Sequence, residues 1–274
     1  MKRTAWGVAG MGGMTGLYSW QVEPFRLEFV RETMTLPQLP PHLDGKLLMQ
    51  ISDTHVGDRF DYHFIIDSFK KAQAVKPDIV VYTGDFVNYE NPSQFGQLNK
   101  VYKYAVKGKL ATLGVLGNHD YGLNWRQQKV ADNITDILDS HGIEILSNQK
   151  RSIEGLDIIG LDDYWAPNFR PRIGLSRYDS KTPTIVLCHN PDVCDLNVWA
   201  DFKGWILSGH THGGQCKPPF LPPPILPVKN KRYTSGAFDL GEGRRLYINR
   251  ALGHLHQIRF NVIPEITIFK LEKA

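Results

Sequence analysis

The run "DIVVYTG", Asp78 to Gly84, decides how the chain is organised, because Ile79 to Thr83 are all β-branched or aromatic and a glycine ends them. A strand that is apolar at successive rather than alternate positions buries both faces, as strands of a parallel sheet do beneath covering helices. Its surroundings agree. "KLLMQIS" (46–52) and "LATLGVLG" (110–117) are further strand-like runs. Between the first two strands, "HFIIDSFKKAQAV" sets Ile65, Phe69 and Ala72 at helical i, i+4, i+7 spacing, and Leu98, Val101, Tyr102 and Ala105 share a helical face after the second. A third helix is predicted from Val130, Ile134, Ile137, Leu138 and His141, with Asn124 as its N-cap. The resulting βαβαβα series predicts an α/β fold with parallel strands and helices outside.

Beyond this series the chain becomes strand-rich. "EILSN", "RSIEG", "LDIIGLDD", "TIVLCHNP", "GWILSGH", "YTSGAFDL", "RRLYINR" and "EITIFKL" follow with few helix signals, and no period repeats. "KPPFLPPPILPVKNKR", Lys217 to Arg232, is too rich in proline for a central strand and is predicted to be a surface loop. The 274 residues, 42% hydrophobic and 22% charged, suffice for one large domain without staples. Cys188, Cys194 and Cys216 are an odd set with no C-x-x-C pair, so neither a disulfide framework nor a thiolate zinc site is suggested. A net charge of +4 leans weakly toward anionic partners.

At the N-terminus, Lys2 and Arg3 precede an uncharged segment, Thr4 to Val22, containing Gly7, Gly10, Gly12, Gly13 and Gly16 beside Met11, Met14, Leu17, Tyr18 and Trp20. It has the look of a weak signal or anchor, without an A-x-A cleavage site, and a surface arm is an equal alternative. "TLPQLPPHLDG", Thr35 to Gly45, is expected to be a linker, so residues 1–45 are assigned to segment and linker and 46–274 to the folded domain.

Polar residues cluster at the carboxyl ends of the predicted strands, where open α/β sheets place ligands. "SDTH" supplies Asp53 and His55, "GDF" Asp85, "GNHD" Asn118, His119 and Asp120, "LCHNPD" His189, and "GHTH" His210 and His212. Singly, each has an ordinary explanation: an aspartate after a strand is a turn or cap, and a histidine there is a hydrogen-bonded core residue. Those explanations do not account for five strand ends carrying the same kind of group. Asp, His and Asn without Cys suit Zn, Fe or Mn, and there are more ligands than one ion uses. Two divalent ions roughly 3.5–4 Å apart make a clamp for displacement at phosphorus.

In this order D-x-H, GD, GNH[DE], a lone H and GHxH resemble the full signature of the calcineurin-like metallophosphoesterases, from Asp53 to His212. The resemblance implies a four-layer α/β/β/α sandwich of two mixed sheets with the dimetal site at the strands' carboxyl ends. It implies one metal on Asp53, His55, Asp85 and His212 and a second on Asp85, Asn118, His189 and His210, with Asp85 bridging. A metal-bridging hydroxide would be the nucleophile. His119 would protonate the leaving oxygen, with Asp120 orienting its imidazole and raising its pKa. "GDFVNYEN" lacks the arginine, and "GNHD" the glutamate, of the superfamily's protein phosphatases, which disfavours that activity.

"GHTHGGQ", the C-terminal "INRALG" and "IRFNVIPEITIFKL", and the anchor-like segment before "VEPFRLE" are similar to a membrane-associated bacterial branch. That branch includes YaeI- and YkuE-type phosphodiesterases and enzymes that hydrolyse UDP-2,3-diacylglucosamine in lipid A synthesis. The expected substrate is therefore a phosphorylated small molecule or lipid-linked compound at the inner membrane, with a cytoplasmic location as the alternative. Phe220, Leu221, Ile225, Leu226 and Val228, flanked by Lys217, Lys229, Lys231 and Arg232, form one candidate wall for it, and "DYWAPNFRPRIGLSRYDS" with Arg170, Arg172 and Arg177 another. A broad phosphodiesterase or nuclease and an inactive scaffold are the rival readings. The absence of a basic stripe with interleaved aromatics speaks against nucleic acid, and intact ligand positions speak against a scaffold. His254 and His256 have no assigned role.

Overall fold

In the computed structural model, which describes residues 13–274, the helical residues 13–21 (α1) precede β1 (Glu28–Leu36), β2 (Leu47–Ile51), α2 (His63–Gln73), β3 (Ile79–Thr83), α3 (Ser93–Tyr102) and β4 (Ala111–Val115). Then come α4 (Gln128–Ser140), β5 (Glu144–Ile145), β6 (Gln149–Ile153), β7 (Leu156–Gly160), α5 (Pro171–Leu175) and β8 (Thr184–Leu187), followed by β9 (Gly204–Ser208), β10 (Gly236–Gly241), β11 (Arg244–Ile248) and β12 (Glu265–Lys273). The strands form two six-stranded sheets, in the orders β1-β12-β2-β3-β4-β5 and β10-β11-β9-β8-β7-β6.

The doubly buried strand is where sequence and layers meet. Every residue of β3 is buried, and the period-2 alternation divides them. Ile79 and Val81 join Leu48, Leu113, Ile158, Ile185, Leu187 and Leu207 in the core between the sheets. Val80 and Tyr82 join Ile65, Phe69, Leu98, Val101, Ile134 and Leu138 beneath α2, α3 and α4. The second sheet repeats the scheme on its far side, where Ile159, Val186, Ile206 and Leu246 meet Leu175, Val193, Trp199 and Phe202. Each sheet is mixed: β2, β3, β4 and β5 are mutually parallel, as are β7, β8, β9 and β11, while β12 is antiparallel to β2, β6 to β7 and β10 to β11. This is the α/β/β/α sandwich with two mixed sheets, its fourth layer reduced to the short α5 and a 3-10 turn at Pro191–Asp195.

Three local expectations differ. Folded structure does not wait for Lys46: β1 pairs in parallel with β12 along its whole length, from Glu28 opposite Glu265 to Leu36 opposite Lys273. Met34 and Leu36 reach the core between the sheets, while Pro40 to Asp44 make a short 3-10 turn with Leu43 buried. Asn124 does not cap α4, whose N-cap is Gln127; Asn124 sits in a tight turn with φ 60°. The anchor-like segment is divided, since residues 4–12 lie outside the described residues and 13–21 are helical. Among the described residues, no helix is long and apolar enough to cross a membrane.

Leu36→Ala is expected to lower unfolding free energy by about 2–5 kcal/mol in urea denaturation, as deletion of a fully buried leucine does. The exposed Leu123→Ala should move it by under about 0.5 kcal/mol. Equal effects would contradict the assignment of β1 to the folded domain.

Candidate metal centre

The carboxyl ends of β2, β3 and β4 in one sheet and of β8 and β9 in the other converge, tied by bonds between the sheets. The Gln50 amide donates to the Ser208 carbonyl at 3.0 Å, and the His189 ring nitrogen Nδ1 donates to the Thr83 carbonyl at 2.7 Å. Two groups of buried side chains result, Asp53 with His55 and His212, and Asp85 with His189 and His210, each with its donor atoms within 4.8 Å of one another. The groups adjoin. Asp85 Oδ2 is 3.0 Å from His189 Nε2 and 3.6 Å from His55 Nε2, and Asp53 Oδ1 is 3.2 Å from His212 Nε2.

Backbone carbonyls fix which imidazole nitrogens are bare. With Nδ1–H of His189 on Thr83 and Nε2–H of His210 on the Pro227 carbonyl at 2.9 Å, the inner nitrogens, His189 Nε2 and His210 Nδ1, face each other at 3.2 Å. Nε2 of His55 and Nε2 of His212 also face each other, at 3.0 Å, and the Nδ1 atom of each ring is buried without a partner among the described residues. Asn118 is buried, and its Oδ1 makes no hydrogen bond among the described residues. Imidazole nitrogens crowded against one another and against two carboxylates, with a buried partnerless amide oxygen, cost free energy by themselves and are satisfied by cations, so the donor set fits divalent ions.

The ionisation states agree with this fit. Burial works against charge on Asp85, yet the imidazoles of His189 and His119 outweigh it and hold its carboxyl well below the usual range. Burial likewise opposes charge on Asp53, and His189 and His212 bring it down to about 2. Burial pushes the His210 imidazole down to about 3 and holds His55 well below its ordinary value. His189 goes the other way: burial opposes its charge, but Asp85 and Asp53 outweigh it and hold the imidazole well above its ordinary value, so a positive charge is favoured at the point where Asp85 and His189 meet. Anionic carboxylates beside neutral His55 and His210 are the protonation states that metal ligands require, and a bound cation would replace the proton on His189.

The backbone is strained for this purpose. Asp53, His55, Asp85, His210 and His212 all have left-handed φ, between 44° and 69°, a region that residues with a Cβ enter at a cost. Close approach needs glycine at two points: a Cβ on Gly209 would stand 2.1 Å from Asp53 Oδ2, and one on Gly117 would stand 2.3 Å from Asp85 Oδ1.

His119 lies at the edge of the cluster, half-buried, its ring 5.0 Å from that of His55 and nearly perpendicular to it. Its backbone N–H donates to Asp85 Oδ1 at 2.9 Å. Asp120 does not orient that imidazole. Its Oδ1 accepts the amides of Phe86 (2.9 Å) and Val87 (3.1 Å), and its Oδ2 that of Gly117 (2.8 Å), so it staples the turn after β3 to the turn after β4. The expected rise in the His119 pKa is absent as well: burial lowers it, with Asp85 opposing.

Within the stretch 163–180, expected only as a wall carrying arginines, Asp163 is not singled out by sequence; it is fully buried just past β7, its Oδ2 has no partner among the described residues, and burial pushes its carboxyl up to about 7. The strand-end rule that picked out the other aspartates would have found it. Trp125, unassigned in sequence, stacks at 4.8 Å on Trp165 of that wall beside the cluster. His254 is buried and accepts Arg259 Nε–H at 2.9 Å, and the His256 carbonyl accepts the Gln215 amide; both serve the loop rather than the donor groups.

Residues 47–214 match the family model described as calcineurin-like phosphoesterase. The chain belongs to this family. It is a metal-dependent phosphoesterase, with two candidate His/Asp groups for the family's dinuclear centre. It is similar to the metallophosphoesterase YkuE of Bacillus subtilis, 32% identical over 98% of this chain and 93% of the relative. The phosphodiesterase YaeI of Escherichia coli is 30% identical over 82% and 81%, and the UDP-2,3-diacylglucosamine pyrophosphatase LpxG of Chlamydia trachomatis 28% identical over 94% and 93%.

Removing the staple should show in stability. Asp120→Ala leaves three buried amides without an acceptor, and the metal-free phosphoesterase is expected to lose about 3 kcal/mol or more in urea denaturation. A loss of under about 0.5 kcal/mol would indicate that Asp120 acts on the imidazole instead.

Proposed function

We propose that the chain hydrolyses a phosphodiester or pyrophosphate bond between two divalent cations, on a substrate whose lipid part lies in a membrane face. The observation that carries the reading is Asp85 Oδ2, which faces both imidazole groups at once. In this reading Asp53, His55, Asp85 and His212 hold one ion, and Asp85, Asn118, His189 and His210 the other, the ions being Mn, Fe or Zn. Bound there, divalent cations supply Lewis-acid stabilisation of the phosphoryl oxygens and bring the pKa of water toward neutrality.

His119 is the acid in this scheme. Its ring nitrogens make no hydrogen bond among the described residues, it is the least buried imidazole of the cluster, and burial lowers its pKa. The lowered pKa makes the imidazolium a stronger donor to the leaving oxygen but leaves it less populated at neutral pH, so the step that uses it should slow as pH rises through the His119 pKa. Asp120 contributes by holding the two turns that carry Asp85 and His119.

The lipid part of the proposal rests on exposed apolar side chains around the centre. In the proline-rich loop Leu226 and Val228 are buried, while Phe220, Leu221 and Ile225 face solvent. Met14, Leu17 and Trp20 of α1 are exposed too. Hydrogen bonds link these elements: Arg259 N–H donates to the Ser19 carbonyl, Gln257 to that of Trp20, and Gln215 to those of His256 and Ile258. Such a surface, with Lys217 and Arg232 nearby in sequence, suits anionic lipid. The name of LpxG points to UDP-2,3-diacylglucosamine as the compound to try first.

Asp85→Asn and His210→Ala are expected to abolish metal-dependent hydrolysis of bis-p-nitrophenyl phosphate while circular dichroism shows an unchanged fold. Undiminished turnover in either would sink the two-ion reading. His119→Ala should retain metal by elemental analysis and lose rate by ~10²–10⁴-fold. Purified protein should cleave UDP-2,3-diacylglucosamine in vesicles in preference to bis-p-nitrophenyl phosphate. A preference for single-stranded DNA or RNA would select the nuclease alternative.

A further inference from the structure

We infer that Trp125 and Trp165 form a stacking platform that binds a planar unsaturated ring, an aryl group or a nucleobase, carried on the leaving side of the phosphoryl group. The inference rests on the phosphoesterase reading above and adds to it a recognition element.

The two indoles are stacked, with centroids 4.8 Å apart and planes inclined by 23°. Together they reach two imidazoles of the cluster. Trp165 meets the ring of His210 at 4.6 Å and 80°, and Trp125 approaches that of His119 at 6.2 Å and 62°. One end of the pair therefore touches a proposed metal ligand and the other adjoins the acid that serves the leaving oxygen. A group attached to that oxygen stands beside Trp125.

The platform is built rather than incidental. Trp125 follows Asn124 in a turn where both are left-handed, at φ 57° and 60°, although a tryptophan gains nothing locally from that conformation. The turn is held by the Trp125 amide on the Gly122 carbonyl at 3.1 Å and by Gln127 Oε1, which accepts the Leu123 amide at 3.0 Å. Trp165 is fixed from the other sheet, its amide donating to Asp163 Oδ1 at 2.8 Å. The strained turn leaves Trp125 38% exposed beside a buried, strongly polar cluster. A large aromatic face held there offers area to a flat ligand with little entropy left to lose, and nothing in the proposed hydrolysis otherwise uses it.

Sugar-linked bases and aryl esters share this chemistry, and two probe pairs separate them. Manganese-loaded protein is titrated calorimetrically with phenyl phosphate against cyclohexyl phosphate, and with uridine 5′-monophosphate against ribose 5-phosphate. Trp125→Ala is expected to weaken the planar member of at least one pair by roughly 5- to 100-fold, the range of one stacking contact, and to shift its partner by less than about twofold. Trp125→Phe should restore most of the difference, and Leu123→Ala should behave as wild type. The pair that responds names the source of the ring. Equal shifts within both pairs, or none, would overturn the platform and leave the two-ion reading standing. Failure of all four phosphates to bind the wild-type protein would overturn both.

Discussion

Two carboxylates and four imidazoles, all buried and gathered at the ends of β2, β3, β8 and β9, are the constraint that shapes this molecule. Each costs desolvation, and crowded donor atoms leave some polar atoms without partners, so the arrangement needs cations to be satisfied and rigid backbone to exist before they arrive. The surrounding structure supplies that rigidity. Left-handed φ at Asp53, His55, Asp85, His210 and His212 aims successive side chains inward from sharp turns. Carbonyls of Thr83 and Pro227 take the outer N–H of His189 and His210, and Asp120 locks the turns after β3 and β4 together.

The two-sheet architecture follows from the same need. One parallel sheet offers a row of turns along one line, whereas two sheets face to face bring turns together from opposite sides. Asp53, His55 and Asp85 come from the first sheet, His189, His210 and His212 from the second, and each donor group draws on both. The core of Ile79, Val81, Leu113, Ile185, Leu187 and Leu207 between the sheets therefore fixes the geometry of the centre as well as the stability of the fold. The indole pair has the same mixed origin, with Trp125 after β4 and Trp165 after β7.

What was legible in sequence was local. "DIVVYTG" and its neighbours announced buried strands, and the D, N and H residues at their ends announced a site. β1 was not legible, because it is an edge strand with exposed or half-exposed Glu28, Arg31, Glu32 and Thr33, and its one strand partner among the described residues, β12, lies at the other end of the chain. The part Asp120 plays depends on amides of residues 86, 87 and 117, contacts that motif spacing does not encode. The stacking of Trp125 on Trp165 depends on a left-handed turn that no residue in "GLNW" demands, for the glycine there is Gly122 and the strain falls on Asn124 and Trp125.

The central claim is that one oxygen of Asp85 joins two cation sites into a single centre. Electron paramagnetic resonance of protein loaded with two equivalents of Mn(II) tests it most directly, since ions sharing a ligand are exchange-coupled. A coupled dinuclear spectrum that collapses to isolated six-line Mn(II) signals in Asp85→Asn is the expected result. An isolated six-line spectrum in the wild-type protein, with one ion bound, would contradict it.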